Sequence, residues 1–187
     1  MNNGKKVLII GLTLLTGFTY SAGAVTKDMK KVVDEALEFS VKQSMSMFNE
    51  MKDQKGILPR TAKDGKMITC ESAWWTSGFY PGSLWYCYEY SNDPQVRAAA
   101  EEMTSRVEKQ KYTTSNHDVG FIINCSFGNG YRLTHNETYR EVIETAAKSL
   151  STRFHPVTRC TRSWNSKKWQ FSVIIDNMMN LELLNVA

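Results

Sequence analysis

Two short segments carry carboxylates where proton transfer could be done: His117-Asp118-Val119-Gly120-Phe121 and Ile174-Ile175-Asp176-Asn177-Met178-Met179-Asn180-Leu181-Glu182-Leu183-Leu184. Each sets one aspartate immediately ahead of an apolar run with helical character. If the two helices stand side by side, their N-terminal ends bring both carboxylates to one rim. Paired carboxylates at such a rim suit acid/base chemistry on a sugar. The plainer use of an aspartate in this place is as an N-cap, its side-chain oxygen accepting from a free backbone N–H of the first turn.

The elements that must position these groups repeat along the chain. Gly78-Phe79 opens an apolar stretch that reaches Tyr88 and Tyr90, Ser91-Asn92-Asp93-Pro94 punctuates it, and Val96 to Gln110 has the composition of an exposed helix. Gly120-Phe121 opens a second apolar stretch reaching Tyr131, Thr134-His135-Asn136-Glu137 punctuates, and Tyr139 to Phe154 forms a second amphipathic helix. The offset is 42 positions at Gly-Phe (78 to 120) and 43 at the turn (91 to 134), within the range of helix-hairpin repeats. Val142, Ala146 and Leu150 recur every four residues while Arg140, Glu141, Glu144 and Lys148 take the other faces, which predicts a helix packed on one side. An earlier helix from about Asp28 to Met51 carries Val32, Val33, Ala36, Leu37 and Phe39 in a similar pattern. No strand run competes, so the predicted architecture is all-α, built of inner and outer helices whose end loops carry function. Two loops are rich in aromatic and basic residues: 69–79, with Trp74 and Trp75, and 155–173, with Arg159, Arg162, Trp164 and Trp169.

Length and composition allow this. The 187 residues, 42% hydrophobic and 11% aromatic, are enough for one domain with a core. Lys5 and Lys6 precede an apolar stretch from Val7 to about Tyr20, followed by Ala22-Gly23-Ala24, the pattern of a secretory signal peptide with a small-residue cleavage site. The apolar stretch is shorter than the roughly 20 residues that cross a bilayer, so export with cleavage after Ala24 is expected over a stable membrane anchor. Residues 1–24 are thus a signal peptide and 25–187 the domain. The formal net charge of +4 falls to +2 without the two lysines, and so mild an excess does not imply nucleic acid. Cys70, Cys87, Cys125 and Cys160 match no zinc spacing. An oxidising compartment would permit two disulfides, whereas Cys87 and Cys125 on apolar helical stretches read as buried free thiols. With no metal cluster or nucleotide loop in the sequence, no metal or cofactor is expected.

Four segments in order carry a resemblance: Trp75-Thr76-Ser77-Gly78-Phe79-Tyr80-Pro81-Gly82, His117-Asp118-Val119-Gly120-Phe121, Arg162-Ser163-Trp164-Asn165 and Ile175-Asp176-Asn177-Met178-Met179-Asn180-Leu181. From about Gly56 onward the chain resembles the unsaturated glucuronyl hydrolases, glycoside hydrolase family 88. The resemblance implies an (α/α)6 barrel with its active site at one end. It also implies an unsaturated oligosaccharide substrate, a lyase product bearing a 4,5-unsaturated uronic acid at the non-reducing end. Reaction by this family's route hydrates the carbon–carbon double bond, and the resulting hemiketal falls apart to release the sugar.

By that resemblance Asp176 is the acid/base and Asp118 the partner that sets its protonation and helps hold the sugar. His117 would bond the substrate or orient Asp118, while Trp75 and Trp164 would supply flat surfaces against sugar faces. Arg162 is a candidate for attracting a carboxylate or sulfate, a task the family pattern does not assign it. Trp74, Trp85 and Trp169 read as core or loop packing, and His135 and His155 as solvated turn residues. The chain departs from the family in ending at Leu184-Asn185-Val186-Ala187, within the third inner helix, so that about half of the barrel is absent and an unstable or inactive chain is expected. Two other readings stay open: an unsaturated rhamnogalacturonyl hydrolase, which shares barrel and chemistry, and a secreted helical-repeat carbohydrate binder, which needs neither aspartate.

Overall fold

The computed structural model describes residues 27–187; the expected signal peptide lies outside the described residues. Helix α1 (Lys27–Met51) leads into a hairpin of β1 (Ile57–Lys63) and β2 (Lys66–Glu71), then α2 (Phe79–Ser91) and α3 (Pro94–Ser105). A 3-10 turn (Glu108–Tyr112) precedes α4 (Val119–Ile123), which runs through a π-helical turn (Asn124–Gly128) into α5 (Asn129–Thr134). Helix α6 (Glu137–Ser151), the two-residue strands β3 (Phe154–His155) and β4 (Cys160–Thr161), and the short helices α7 (Asn177–Asn180) and α8 (Glu182–Val186) complete it.

The repeat read from the sequence is a repeat of hairpins. In the first, Asn92 takes the left-handed conformation after α2, and Asp93 caps α3 by accepting from the Gln95 N–H at 2.8 Å, with Pro94 in the first turn where no N–H is needed. In the second, His135 takes the left-handed place after α5 and Asn136 caps α6 through the Thr138 N–H at 3.0 Å. The punctuating tetrapeptides therefore stop one helix and start the next, folding it back.

Glycine sets how closely the inner helices approach. A Cβ at Gly78 would lie 2.3 Å from the Ile122 carbonyl oxygen, and one at Gly120 would lie 2.4 Å from that of Asn180. Each Gly-Phe thus opens an inner segment with a residue against which the backbone of the next one rests. Two apolar clusters fill the space around these contacts. Met51, Tyr80, Leu84, Trp85, Ala99, Ala100 and Met103 join α1, α2 and α3. Val119, Ile122, Ile123, Phe127, Val142, Ile143, Ala146 and Leu150 join α4 to α6, with Leu58 and Leu183 packed in. Trp85 is core, as expected, its indole N–H donating to Thr104 Oγ1 at 2.9 Å.

Three sequence expectations need adjustment. The chain does contain strands: Asp64 and Gly65, both at positive φ, make a two-residue turn between Lys63 and Lys66, the Asp-Gly signal of a hairpin. Helix α1 does not bury the apolar residues of its first half, since Val32, Val33, Leu37 and Phe39 are exposed. It is held by its second half instead, through Met45, Met47, Phe48 and Met51 and through the Tyr80 hydroxyl, which donates to the Ser44 carbonyl at 2.7 Å. A second open apolar face, formed by Ile174, Ile175, Met178, Met179, Leu184 and Val186, lies at α7 and α8. The four cysteines are free thiols, so the two permitted disulfides do not form, and burial pushes Cys125 up to about 11. Among the described residues no helix is long and apolar enough to cross a membrane.

Candidate active site

Asp118 and Asp176 stand at the N-terminal ends of α4 and α7, and neither side chain caps its helix. This separates them from Asp93 and Asn136, which do cap, and removes the plainer reading of both motifs. The Gly120–Asn180 contact is what brings the two ends together. Asn180, fully buried, accepts from the Phe121 N–H at 2.8 Å through Oδ1 and donates to the Asp176 carbonyl at 3.3 Å through Nδ2. One amide therefore bonds the first turn of α4 and the residue that starts α7.

His117 sits between the carboxylates. Its Nε2 lies 3.5 Å from Asp118 Oδ1 and 3.5 Å from Asp176 Oδ2. Its Nδ1 lies 2.7 Å from Asn177 Oδ1. Asn177 Nδ2 donates to the Thr161 carbonyl, which fixes the amide orientation and makes Oδ1 the atom that faces the ring. Nδ1 is then the donor, and Nε2 is left to the carboxylates. A neutral ring would turn its lone pair toward two anions, so the three groups need a proton among them, either on Nε2 or on a carboxyl.

Burial is the chief cause raising the Asp118 carboxyl above its ordinary value, and the Asp176 charge adds to it, while His117 and Arg153 pull it down. Asp118, expected from the resemblance to be the partner of the acid/base, is thus a carboxyl held above its ordinary value. Asp176 Oδ1 is buried without a hydrogen-bond partner, an unmet acceptor that a proton or a water would satisfy.

Of the residues singled out from the sequence, Asp118, Asp176, His117 and Trp164 converge. Trp164 meets the His117 ring edge-on at 6.2 Å between centroids and is 38% exposed. Trp75, 44% exposed, stands in an aromatic cluster with Phe79 (5.7 Å) and Phe121 (6.0 Å), next to the first turn of α4 and to one side of the aspartate pair. Trp74 packs under the Arg60 guanidinium at 3.9 Å, and Trp169 lies exposed beside Lys168. His135 and His155 are exposed turn and strand-end residues.

Several residues that hold the site were not singled out. Asn116 Oδ1 accepts from the Asp118 N–H at 2.9 Å. Ser163 accepts from the His117 N–H at 2.8 Å, donates its own N–H to Ser172 at 2.7 Å, and receives the Ile174 N–H on its hydroxyl at 3.1 Å, binding both aspartate segments to one strand-like stretch. Asn177 and Asn180 lay inside the quoted motif, and their buried amide pattern, three residues apart beside an aspartate, was the available signal. His117, Asp118 and Asp176 also offer donor atoms within 4.8 Å of one another, a spacing that could admit a cation.

No protein-family model matches the chain. Over 113 residues it is 47% identical to an unsaturated glucuronyl hydrolase of Formosa agariphila, covering 59% of this chain and 28% of that one. Over 162 residues it is 28% identical to an unsaturated chondroitin disaccharide hydrolase of Streptococcus pyogenes serotype M1, covering 83% and 40%. Among solved structures it superposes on an unsaturated glucuronyl hydrolase specific for heparin with a TM-score of 0.72 at 38% identity, over 81% of this chain and 42% of that one. The fold is that of part of an (α/α)6 barrel. The chain is related to the unsaturated glucuronyl hydrolases, glycoside hydrolase family 88, and spans between 28% and 42% of the length of these relatives.

Proposed function

We propose that this chain carries the acid/base pair of a hydrolase that removes a 4,5-unsaturated uronic acid from the non-reducing end of glycosaminoglycan-type oligosaccharides. The observation that carries the reading is the His117-centred pair: two aspartates at helix starts, neither used as a cap, with one imidazole nitrogen 3.5 Å from each. The names of the relatives support the substrate class.

The substrate is an enol ether. Its C4 must receive a proton while the oxygen of a water forms a bond to C5 and gives up a proton. Asp176 delivers the proton to C4 and takes one back from the water, which restores its starting state. Asp118 and the His117 ring hold the compensating charge beside it, and Trp164 offers a flat apolar wall to the sugar. The product at C5 is a hemiketal, which opens with loss of the attached sugar as an alcohol. None of these steps routes through a metal.

The test is the ultraviolet absorbance of the conjugated double bond, followed with an unsaturated chondroitin or heparin disaccharide and with Asp176→Asn beside the parent chain. Decay seen only with the parent supports hydration. A folded parent chain that leaves both disaccharides unchanged refutes the reading for this chain. From Lys5, Lys6 and the following apolar stretch we also infer export to the periplasm or medium, checked by N-terminal sequencing of the mature protein for a start at Val25.

A further inference from the structure

We propose that the cavity beside the β3 and β4 strands is a subsite for a negatively charged substituent, a sulfate or carboxylate, carried by the oligosaccharide. The proposal rests on the hydrolase reading above, but its residues are separate from the acid/base pair. The cavity, of about 560 Å³, is lined by Arg153, Arg162, His155, Asn165, Gln170 and Thr158 among others, and no carboxylate faces it. Two guanidinium groups therefore line one polar hollow with no carboxylate in its wall; Asp118, outside the lining, is the anion whose charge reaches Arg153.

The arginines are held in place by backbone, and Arg162 leaves donors over. Arg153 is buried and sets the wall of the cavity; its Nε donates to the Arg162 carbonyl at 2.7 Å and its Nη1 to the Thr114 carbonyl, while Nη2 is enclosed by protein without a hydrogen-bond partner. Arg162 donates only through Nε, to the Trp164 carbonyl at 3.1 Å. Burial first and the neighbouring Arg162 charge second press Arg153 below its ordinary value, and the Asp118 charge opposes them in part. Like charges packed together in a partly dry site are unfavourable, and an oxyanion taking charge-assisted bonds from the Arg162 guanidinium would offset the repulsion. His155, Asn165 and Gln170 add groups able to donate to such an ion.

The position suits a substituent beyond the reacting sugar. Arg162 and Asn165 flank Ser163-Trp164, and Trp164 is the residue whose ring meets His117. Arg153 is near enough to Asp118 for its charge to act on that carboxyl. A sugar chain with its unsaturated end at the aspartates and its next ring along Trp164 would bring an anionic group to the cavity.

Inorganic sulfate is the probe, titrated into the 187-residue chain at constant ionic strength with chloride as counterpart, read by tryptophan fluorescence. Sulfate should bind saturably where chloride does not, and Arg162→Met should weaken it about tenfold or more, with Arg162→Lys recovering part of the affinity. Asp176→Asn should leave sulfate affinity as it is. A sulfated unsaturated disaccharide should displace sulfate at least about tenfold better than its unsulfated counterpart. Equal responses to sulfate and chloride, an Arg162→Met chain that binds like the parent, or sulfate binding that no sulfated disaccharide displaces would each overturn the proposal. Absence of turnover with sulfate binding and displacement intact would sink the hydrolase reading alone; turnover without a sulfate response would sink the subsite alone.

Discussion

His117 Nδ1 donates to Asn177 Oδ1 across 2.7 Å, and that one bond decides which ring nitrogen faces the two aspartates. Asn177 is itself anchored by its Nδ2 on the Thr161 carbonyl, so the imidazole is held from the α7 side in a single tautomer. Asn177→Ala should free the ring while leaving both carboxylates in place. The expected outcome is a fall in kcat of about tenfold to a hundredfold with a smaller change in KM, measured by steady-state loss of ultraviolet absorbance. A drop confined to KM would assign Asn177 to substrate binding instead.

Asp118 should make stability depend on pH in the sense opposite to a salt-bridged carboxylate. Its folded carboxyl lies above the ordinary value of 3.8, so between 3.8 and the raised value the folded state holds more protons than the unfolded one. Stability contributed by this group is fully present below 3.8 and is lost as pH rises through the raised value. Asp118→Asn does not titrate, so its stability relative to the parent should climb with pH over that window. Urea unfolding at a series of pH values checks this; a difference that stays flat, or climbs toward acid, contradicts the partly buried, proton-holding Asp118.

Gly120→Ala should strike fold and site together. The new Cβ would meet the Asn180 carbonyl oxygen at 2.4 Å and its Cα at 2.5 Å, and both are backbone atoms with no rotamer to yield. Forcing α4 and α7 apart should cost about 1–3 kcal/mol, by analogy with overpacked cores, and should separate the carboxylates. Activity should therefore fall further than the loss of folded protein accounts for, which parallel urea titration and kinetics would show.

Arg106 closes the carboxyl end of α1. Its guanidinium, 7% exposed, donates to the carbonyls of Lys52 (3.0 Å), Gln54 (2.9 Å) and Ile57 (3.0 Å) and pairs with Glu102 at 2.6 Å. Arg106→Met leaves those carbonyls without their donor and should destabilise the fold by about 2–4 kcal/mol, seen as a lower urea midpoint. Arg106→Lys should recover only a minor part, because one ammonium cannot span the same set of oxygens.

How much of this was legible depends on whether the signal was local. The hairpin repeat was, because Asn92-Asp93-Pro94 and His135-Asn136 stop and start helices through bonds to their own neighbours. The Asp64-Gly65 turn is equally local, but the strands it joins do not alternate between buried and exposed residues and bury only Leu58 fully, so they carry no two-residue period to mark them. The apolar residues of α1 misled because periodicity reports a face able to be buried, and burial needs a partner.

The sequence by itself determined the helical hairpins, the two aspartates and the glycine ahead of each inner run. Those follow from propensity, capping and residue type, which act over a few positions. Only the tertiary structure decided that Asp118 and Asp176 share one imidazole, that neither serves as a cap, that Asn177, Asn180 and Ser163 hold them there, and that Arg153 and Arg162 line one cavity. Each of these is a meeting of residues far apart along the chain. Their geometry is set by how closely α4 and α7 approach at Gly120, a distance that packing alone fixes.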